Sequence, residues 1–495
     1  MRSDIQRGMA AGAAWMIGMR LCITALGVVS TLILARLLQP SDFGLVALAT
    51  AIVAALELLT EFRLDFQLIQ NQNASRADYD SAWTLNLILG GMLGILLLAA
   101  SAPAAYVFHE PRLSNIVCVL AVSRILDGAQ NIGIVNFRKD LKFGMEFTFA
   151  TVRKLSGVLV AVTCAWTFRS YWALAAGIVT SSVVGVAASF LMHTYRPRPR
   201  LTSARRLLSY SKWLLIDSLI QFLRTRSSDL LIGRFAGAHS LGLFNVAQET
   251  ATLAQSTVTA PTNRAILPAY ARLQGDLESL RNSFLAVVGM TTLVAVPMAV
   301  GVAAVAPLLV PALLGDQWQG SITLMELLAF ASALSTCGSG APIVYLALGR
   351  PKLLVLLGAA DISILLLGMG ILLPKHGAMG AAWATLIAAS AILPVRLALV
   401  QSVLGSVLRQ WLGAVWRPVT SAAAMYLLIA MLHVKPDETS GTLSQLLNLA
   451  ELVGVGITSY ITMIFTLWWL AGRPPGAEKT VTGLIRRSLY SSGKF

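Results

Sequence analysis

Charge is the scarcest resource in this chain. Only 12% of its 495 residues are Asp, Glu, Lys or Arg, about half the share a soluble domain carries. At that length the chain has too little polar surface to cover a globule. Acidic residues are scarcer than basic ones, 23 against 38. The four cysteines, Cys22, Cys118, Cys164 and Cys337, sit in apolar runs without CxxC spacing. That excludes a disulfide framework or a thiolate metal site and leaves small core side chains. The five histidines form no HExxH or similar cluster. Nothing points to a metal or a cofactor.

What is abundant is apolar sequence: 56% of residues are hydrophobic and the mean hydropathy is +0.72. The expectation is an all-α polytopic membrane protein. Candidate spans lie near 10–35, 43–62, 82–106, 113–136, 146–168 and 171–193, then, after a polar segment, near 213–235, 241–265, 283–314, 321–348, 352–374, 378–402, 411–433 and 446–471. That is about 14 helices. The first run contains Arg20, has no small-residue cleavage site and continues to about 38, so it reads as a membrane helix and not as a cleaved leader.

The net charge of +15 could suggest nucleic acid. No aromatic-basic patch or binding motif supports that, and the cations sit mostly in short loops. On this map 24 of the 38 Lys and Arg fall on the termini and even-numbered loops, and six on the odd-numbered loops. The asymmetry places both termini in the cytoplasm. The longest basic linker, 194–212 ("TYRPRPRLTSARRLLSYSK"), begins with Pro-Arg repeats that resist helix. Its second half reads either as an amphipathic helix on the anionic inner leaflet or as a solvated loop. The basic tail 472–495 has the same character. No extramembrane segment is large enough to house an enzyme.

Two stretches repeat. "LARLLQPSDFGLVAL" at 34–48 and "IGRFAGAHSLGLFNV" at 232–246 each carry an arginine and, eight residues on, Gly-Leu: Arg36 with Gly44 and Leu45, Arg234 with Gly242 and Leu243. At the same offset of 198, Trp15 meets Trp213 and Leu32 meets Leu230. Each stretch follows the first helix of its half. The organisation is therefore read as an N-lobe of six helices (1–193), the linker, a C-lobe of six (213–402) in parallel pseudo-repeat, and two further helices (403–471). In the first copy, Pro40, Ser41 and Asp42 make the turn and cap the next helix, and Gly44 allows close packing. Arg36 and Arg234 read as anchors or gate residues at the outer interface.

A charge at mid-span is expensive, about 2.5–3.5 kcal/mol on insertion scales. Arg20 shares a face with Thr24, Gly27 and Thr31. Arg124, Asp127, Asn131 and Arg138 stripe the fourth span; Asp217, Gln221, Arg224 and Ser228 the seventh; Asn245, Glu249, Thr252, Ser256, Thr259 and Asn263 the eighth; Thr50, Glu57 and Glu61 the second. Such stripes face protein or a water-filled cavity. Arg124 with Asp127, and Arg226 with Asp229, have the spacing of ion pairs. Arg20 and Arg224 have no acid three or four residues away. Arg153 and Lys154 can snorkel to the inner interface. Glu57 and Glu249 read as ion-pair partners for the arginines or as proton-coupling carboxylates. The last two spans have few mid-span charges and read as peripheral. Cationic cavity walls suit an anionic ligand, because guanidinium binds phosphate bidentately, and the hydroxyls and amides of the eighth span suit a hydroxyl-rich one.

With "LARLLQPSDFGLVALATAIVAALELLTEF" at 34–62, "LIGRFAGAHSLGLFNVAQ" at 231–248 and "GAMGAAWAT" at 377–385, the chain resembles the polysaccharide transporters of the multidrug/oligosaccharidyl-lipid/polysaccharide superfamily. These are the Wzx-type lipid-linked oligosaccharide flippases, here of the exopolysaccharide-export branch. The resemblance implies two six-helix lobes around a central cavity, two extra helices, and alternating access in a bacterial inner membrane. The implied substrate is an undecaprenyl-pyrophosphate-linked oligosaccharide whose lipid tail stays among membrane lipids; the implied partners are a polysaccharide polymerase and export machinery. Arg20 and Arg224 match the family's cationic cavity residues by location only. A drug or organic-cation antiporter of the same fold is the competing reading, and a membrane polymerase or ligase is a remoter one.

Overall fold

In hydrocarbon every backbone N–H and C=O must find its partner within the chain, which leaves helices or closed barrels. A computed structural model describes residues 2–58, 60, 64–71, 73–204, 212–432, 442–474, 476–480 and 482–483, and among them the regular elements are all helical. Among the described residues ten helices are long and apolar enough to cross a membrane, or eleven if one bent pair is a single span. That number counts two long broken helices once each, and treats the apolar Leu21–Leu37 as too short.

Two compact units divide the chain, Met1–Gly242 and Leu243–Phe495. The first contains α1 (Arg2–Leu37), α2 (Pro40–Glu57), α3 (Leu64–Gln70), α4 (Arg76–Phe108), α5 (Arg112–Gly128), α6 (Val135–Lys139), α7 (Phe143–Phe168) and α8 (Trp172–Met192). The next helix, α9 (Lys212–Arg272), begins in this unit and is broken at Gly237, where φ is 79° and ψ 172°. Contact therefore divides the chain within the second repeat, whereas helix counting divides it at the basic linker. The first measures packing and the second topology.

Helix starts follow local chemistry. Ser75 and Asp78 form a capping box on α4, Asp78 Oδ2 accepting from the Ser75 N–H at 2.9 Å. At α2 the N-cap is Gln39, Pro40 takes the first helical turn, and the buried Asp42 carboxylate accepts the Gln39 N–H at 3.1 Å. Asp42 thus caps the helix as expected, from the third helical position of a capping box with Gln39. α2 ends at Glu57, five residues short of the expected 62, and Glu61 lies outside the described residues.

The fourth span is not straight. α5 and the segment Ile132–Lys139 meet at 66°. Asn131, fully buried, accepts from the Gly133 N–H through its side chain and donates to the Tyr195 carbonyl. An asparagine satisfied in this way competes with the helix ladder. The expected straight stripe from Arg124 to Arg138 is therefore interrupted, and Arg138 instead meets Glu146 at 2.5 Å.

The first part of the basic linker forms no helix, as its Pro-Arg repeats lead one to expect. Residues 193–200 are extended and strap along α4. The backbone N–H groups of Arg198, Arg200 and Ser203 donate to the side chains of Asp80, Thr84 and Ser81, and Tyr195 Oη donates to Asp80 at 2.5 Å. The suggested amphipathic helix falls largely on 205–211, outside the described residues.

The second unit adds α10 (Leu277–Leu309, extended by a π turn to Leu314), α11 (Ile322–Cys337), α12 (Ala341–Ala347), α13 (Pro351–Leu404), α14 (Leu408–Met431) and α15 (Thr442–Leu470). α13 is broken at Gly377, the first residue of "GAMGAAWAT", with φ 57° and ψ −142°. The core of this unit is one apolar cluster drawing on α9 to α15, with Tyr270, Phe284, Tyr345, Trp411 and Tyr460 among its large members. α14 and α15 are not peripheral to it. Arg417, mid-way along α14, is 3% exposed.

The repeated turns meet each other. A Cβ on Gly44 would lie 1.7 Å from the Ala238 carbonyl oxygen, and one on Gly242 would lie 1.8 Å from the Pro40 carbonyl oxygen. Ala238 and Gly242 are Pro40 and Gly44 advanced by 198, so the contact is reciprocal, as across a two-fold axis. The breaks correspond too: Gly237 stands 198 residues after Gln39. The expected role of Gly44 is borne out, with the second copy of its own motif as partner.

Gly44→Ala or Gly242→Ala forces two backbones apart. Each is expected to destabilise by more than the ~1–3 kcal/mol typical of overpacking, read as a lower melting temperature in detergent. Gly454→Ala, exposed on α15 with nothing within 4 Å of a Cβ, is the control and should not lower it.

Candidate functional site

α9 carries a long stripe of hydrophilic side chains. Residues 221–253 are apolar enough overall to cross a membrane. Before the Gly237 break, Gln221, Arg224 and Thr225 are exposed. Arg224 stands 13 residues before the break, about 20 Å along the helix, and has no acidic partner among the described residues. Its neighbour Arg226 pairs with the buried Asp229 at 3.1 Å, as the i,i+3 spacing requires. The Asp217 side chain lies outside the described residues.

Beyond the break, Glu249 and Ser256 are exposed and Asn245 and Thr252 half-buried. Thr252, Ser256 and Thr259 each donate their hydroxyl to a carbonyl one turn back, at 2.7, 3.1 and 2.6 Å. The donors are spent on the helix, and the oxygen lone pairs stay available to a ligand. Gln255 accepts from Ser332 of α11 at 3.3 Å. Asn245 Nδ2 is buried without a partner among the described residues.

A second cluster joins three helices of the first unit. Arg124 of α5 stands 3.5 Å from Glu57 of α2 and 3.7 Å from Asp127. Arg153 of α7 reaches the same Asp127 at 2.8 Å, and Gln130 donates to it at 2.7 Å. Two cations and two anions balance. The interaction expected within α5 alone is a network, and Arg153 does not snorkel away but closes it. The sequence could not reveal this, since Asp127 and Arg153 are 26 residues apart on different helices. Gly185 of α8 sits beside the Arg153 side chain; a Cβ there would come within 3.3 Å of Arg153 Cδ.

Arg20 lies on α1, and its side chain is outside the described residues. Arg36 is exposed at the end of α1. Arg234 approaches His109 Nδ1 at 3.3 Å at the C-terminal end of α4. In the adjoining loop Arg112 binds Glu110 through two nitrogens at 2.8 and 3.0 Å, and that bond holds the Glu110 carboxyl below the usual range. An arginine engaged with the corner of α4 in this way supports a positional role for Arg234.

Asp127→Asn leaves two guanidinium groups with Glu57 alone. With 22–39% of these side chains exposed, the expected loss is ~1–2 kcal/mol, less than the ~3–5 of a fully buried pair. A double-mutant cycle with Arg153→Gln in thermal unfolding checks it; strict additivity would show that the two do not interact.

Known proteins bear on both clusters. The family described as "Polysaccharide biosynthesis protein" matches residues 33–323, which include the two turns, the α9 stripe and the Asp127 network. The lipopolysaccharide biosynthesis protein WzxC of Escherichia coli (strain K12) is 26% identical over 338 residues, 66% of this chain and 68% of that one. The succinoglycan biosynthesis transport protein ExoT of Rhizobium meliloti (strain 1021) is 24% identical over 307 residues, 61% and 62% of the two chains. The lipid II flippase MurJ in an inward closed conformation has the same fold, with TM-score 0.72, 12% identity, and coverage of 93% of this chain and 100% of that one. With more than half its length matched, the chain belongs to the polysaccharide biosynthesis protein family, as an all-helical, multi-pass membrane protein.

Proposed function

We propose that this protein is a flippase for undecaprenyl-pyrophosphate-linked oligosaccharide repeat units. It would carry them across the bacterial inner membrane for exopolysaccharide or lipopolysaccharide biosynthesis. The observation that carries the reading is Arg224: an exposed guanidinium, without an acidic partner among the described residues, twelve residues into a helix whose segment Gln221–Leu253 is apolar enough to span a bilayer. Such a group faces water or an anionic ligand, because lipid cannot solvate it. The hydroxyl and amide groups further along α9 supply the contacts a sugar needs. The relatives' printed roles in lipopolysaccharide and succinoglycan biosynthesis agree with that substrate class.

In this reading Arg20 and Arg224 attract the pyrophosphate, and Asn245, Glu249, Thr252 and Ser256 contact the sugars. The Glu57, Arg124, Asp127 and Arg153 network holds three helices in register, and the lipid tail stays in the bilayer. Both termini are cytoplasmic, the chain crosses fourteen times in two six-helix lobes and a final pair, and alternating access uses the glycine crossing as its pivot. A drug or cation antiporter of this fold would need an acidic cavity wall; the balanced state of Glu57 speaks against that carboxylate serving as a free cation site.

Arg224→Ala and Arg20→Ala are each expected to reduce polysaccharide export about tenfold or more, as loss of a charge-assisted hydrogen bond of ~1.5–3 kcal/mol implies, with unchanged membrane insertion. Full export by both variants would remove them from the mechanism. Resistance to cationic dyes on overexpression, with normal polysaccharide, would favour the antiporter.

A further inference from the structure

Arg417 lies nine residues into α14, about 14 Å from its start. Its side chain is 4% exposed. The segment after α15 folds back so that Glu478, equally buried, sets Oε1 3.2 Å from Arg417 Nη1. Arg417 Nη2 donates to the Gly413 carbonyl at 3.2 Å, while Nε and Nη1 make no hydrogen bond among the described residues. Of the five N–H donors, one is thus seen to be accepted by a carbonyl, and the Glu478 carboxylate balances the charge through one oxygen. A buried guanidinium served so thinly is short of acceptor oxygens.

The pair borders a cavity of about 1210 Å³, larger than the roughly 300–1,000 Å³ of ordinary small-molecule sites. Val258, Ile266, Met290 and Trp416 give it apolar walls, Asn282 and Gln410 add amides, and among the described residues Arg417 and Glu478 are its ionisable lining residues. Exposed Arg409, Arg473 and Lys479 are chain neighbours of the lining residues Gln410, Pro474 and Thr480. Outer cations, an inner guanidinium and long apolar walls match an amphiphile with an anionic head.

We propose that this cavity binds the phosphodiester headgroup of an anionic membrane lipid through Arg417, and that Glu478 is the internal anion which the lipid displaces. A phosphodiester offers two oxygens to the planar fork where the carboxylate supplies one, and the acyl chains lie along the apolar walls. Once released, Glu478 moves into water, next in the chain to Lys479. The segment 476–480 is then a latch whose position reports whether lipid is bound. The inference is independent of what α9 carries.

The test uses the full-length protein in neutral phosphatidylcholine nanodiscs titrated with phosphatidylglycerol, bound lipid being counted by native mass spectrometry. Glu478→Gln should bind phosphatidylglycerol at least tenfold more tightly than the unmodified protein. Arg417→Gln, and the neutral pair Arg417→Gln with Glu478→Gln, should bind it no better than phosphatidylcholine. Millimolar inorganic phosphate should not displace it. Equal binding by Glu478→Gln and the unmodified protein overturns the proposal, as does retained binding in the neutral pair, which keeps the fold free of a lone buried charge. Displacement by inorganic phosphate overturns the lipid as occupant.

Discussion

At Gly44 and Gly242 two backbones approach until neither residue could bear a Cβ. Much else follows from that contact. It sets the start of α2 against the break in α9, and it does so with two copies of one motif, each glycine against the carbonyl of the other copy's turn. Gln39 caps the start of one helix and Gly237 breaks the other at the same point of the repeat. The nearest atoms to each of these two glycines belong to the main chain, and beside them the Leu48 side chain of the first copy packs on Gly233 of the second.

Charge in this protein is handled by two opposite means. In the cluster of Glu57, Arg124, Asp127 and Arg153, and again at Arg417 with Glu478, cations are neutralised by acids brought from other helices or from the tail. Along α9, Arg224 is left exposed. Neutralised pairs tie helices together, because separating them would strand a charge in a low-dielectric surrounding. An exposed cation ties nothing and remains available to a ligand. The contrast separates residues that hold the fold from those proposed to work on a substrate.

Much was legible in sequence, and for a simple reason: hydrocarbon demands about 20 apolar residues per helix, so spans announce themselves by length. The helix class, the Arg226–Asp229 pair and the importance of the repeated turn follow from local spacing. The errors were local competitions that hydropathy does not record. Asn131 bends the fourth span by capping a new turn. The Pro-Arg start of the linker, which composition shows only to resist helix, is bound to α4 because its alternate N–H groups find Asp80 and Thr84.

By itself, the sequence determined that this is a polytopic helical membrane protein, written partly as a repeat, with too few charges for any to be incidental. Periodicity and spacing suffice for that, since both act within one helix. Tertiary structure alone decided that the two turns touch, that Arg153 completes a network with Asp127, and that the tail's Glu478 reaches Arg417. Each of those depends on which helix packs beside which, and close packing joins residues whose separation along the chain carries no information about their distance.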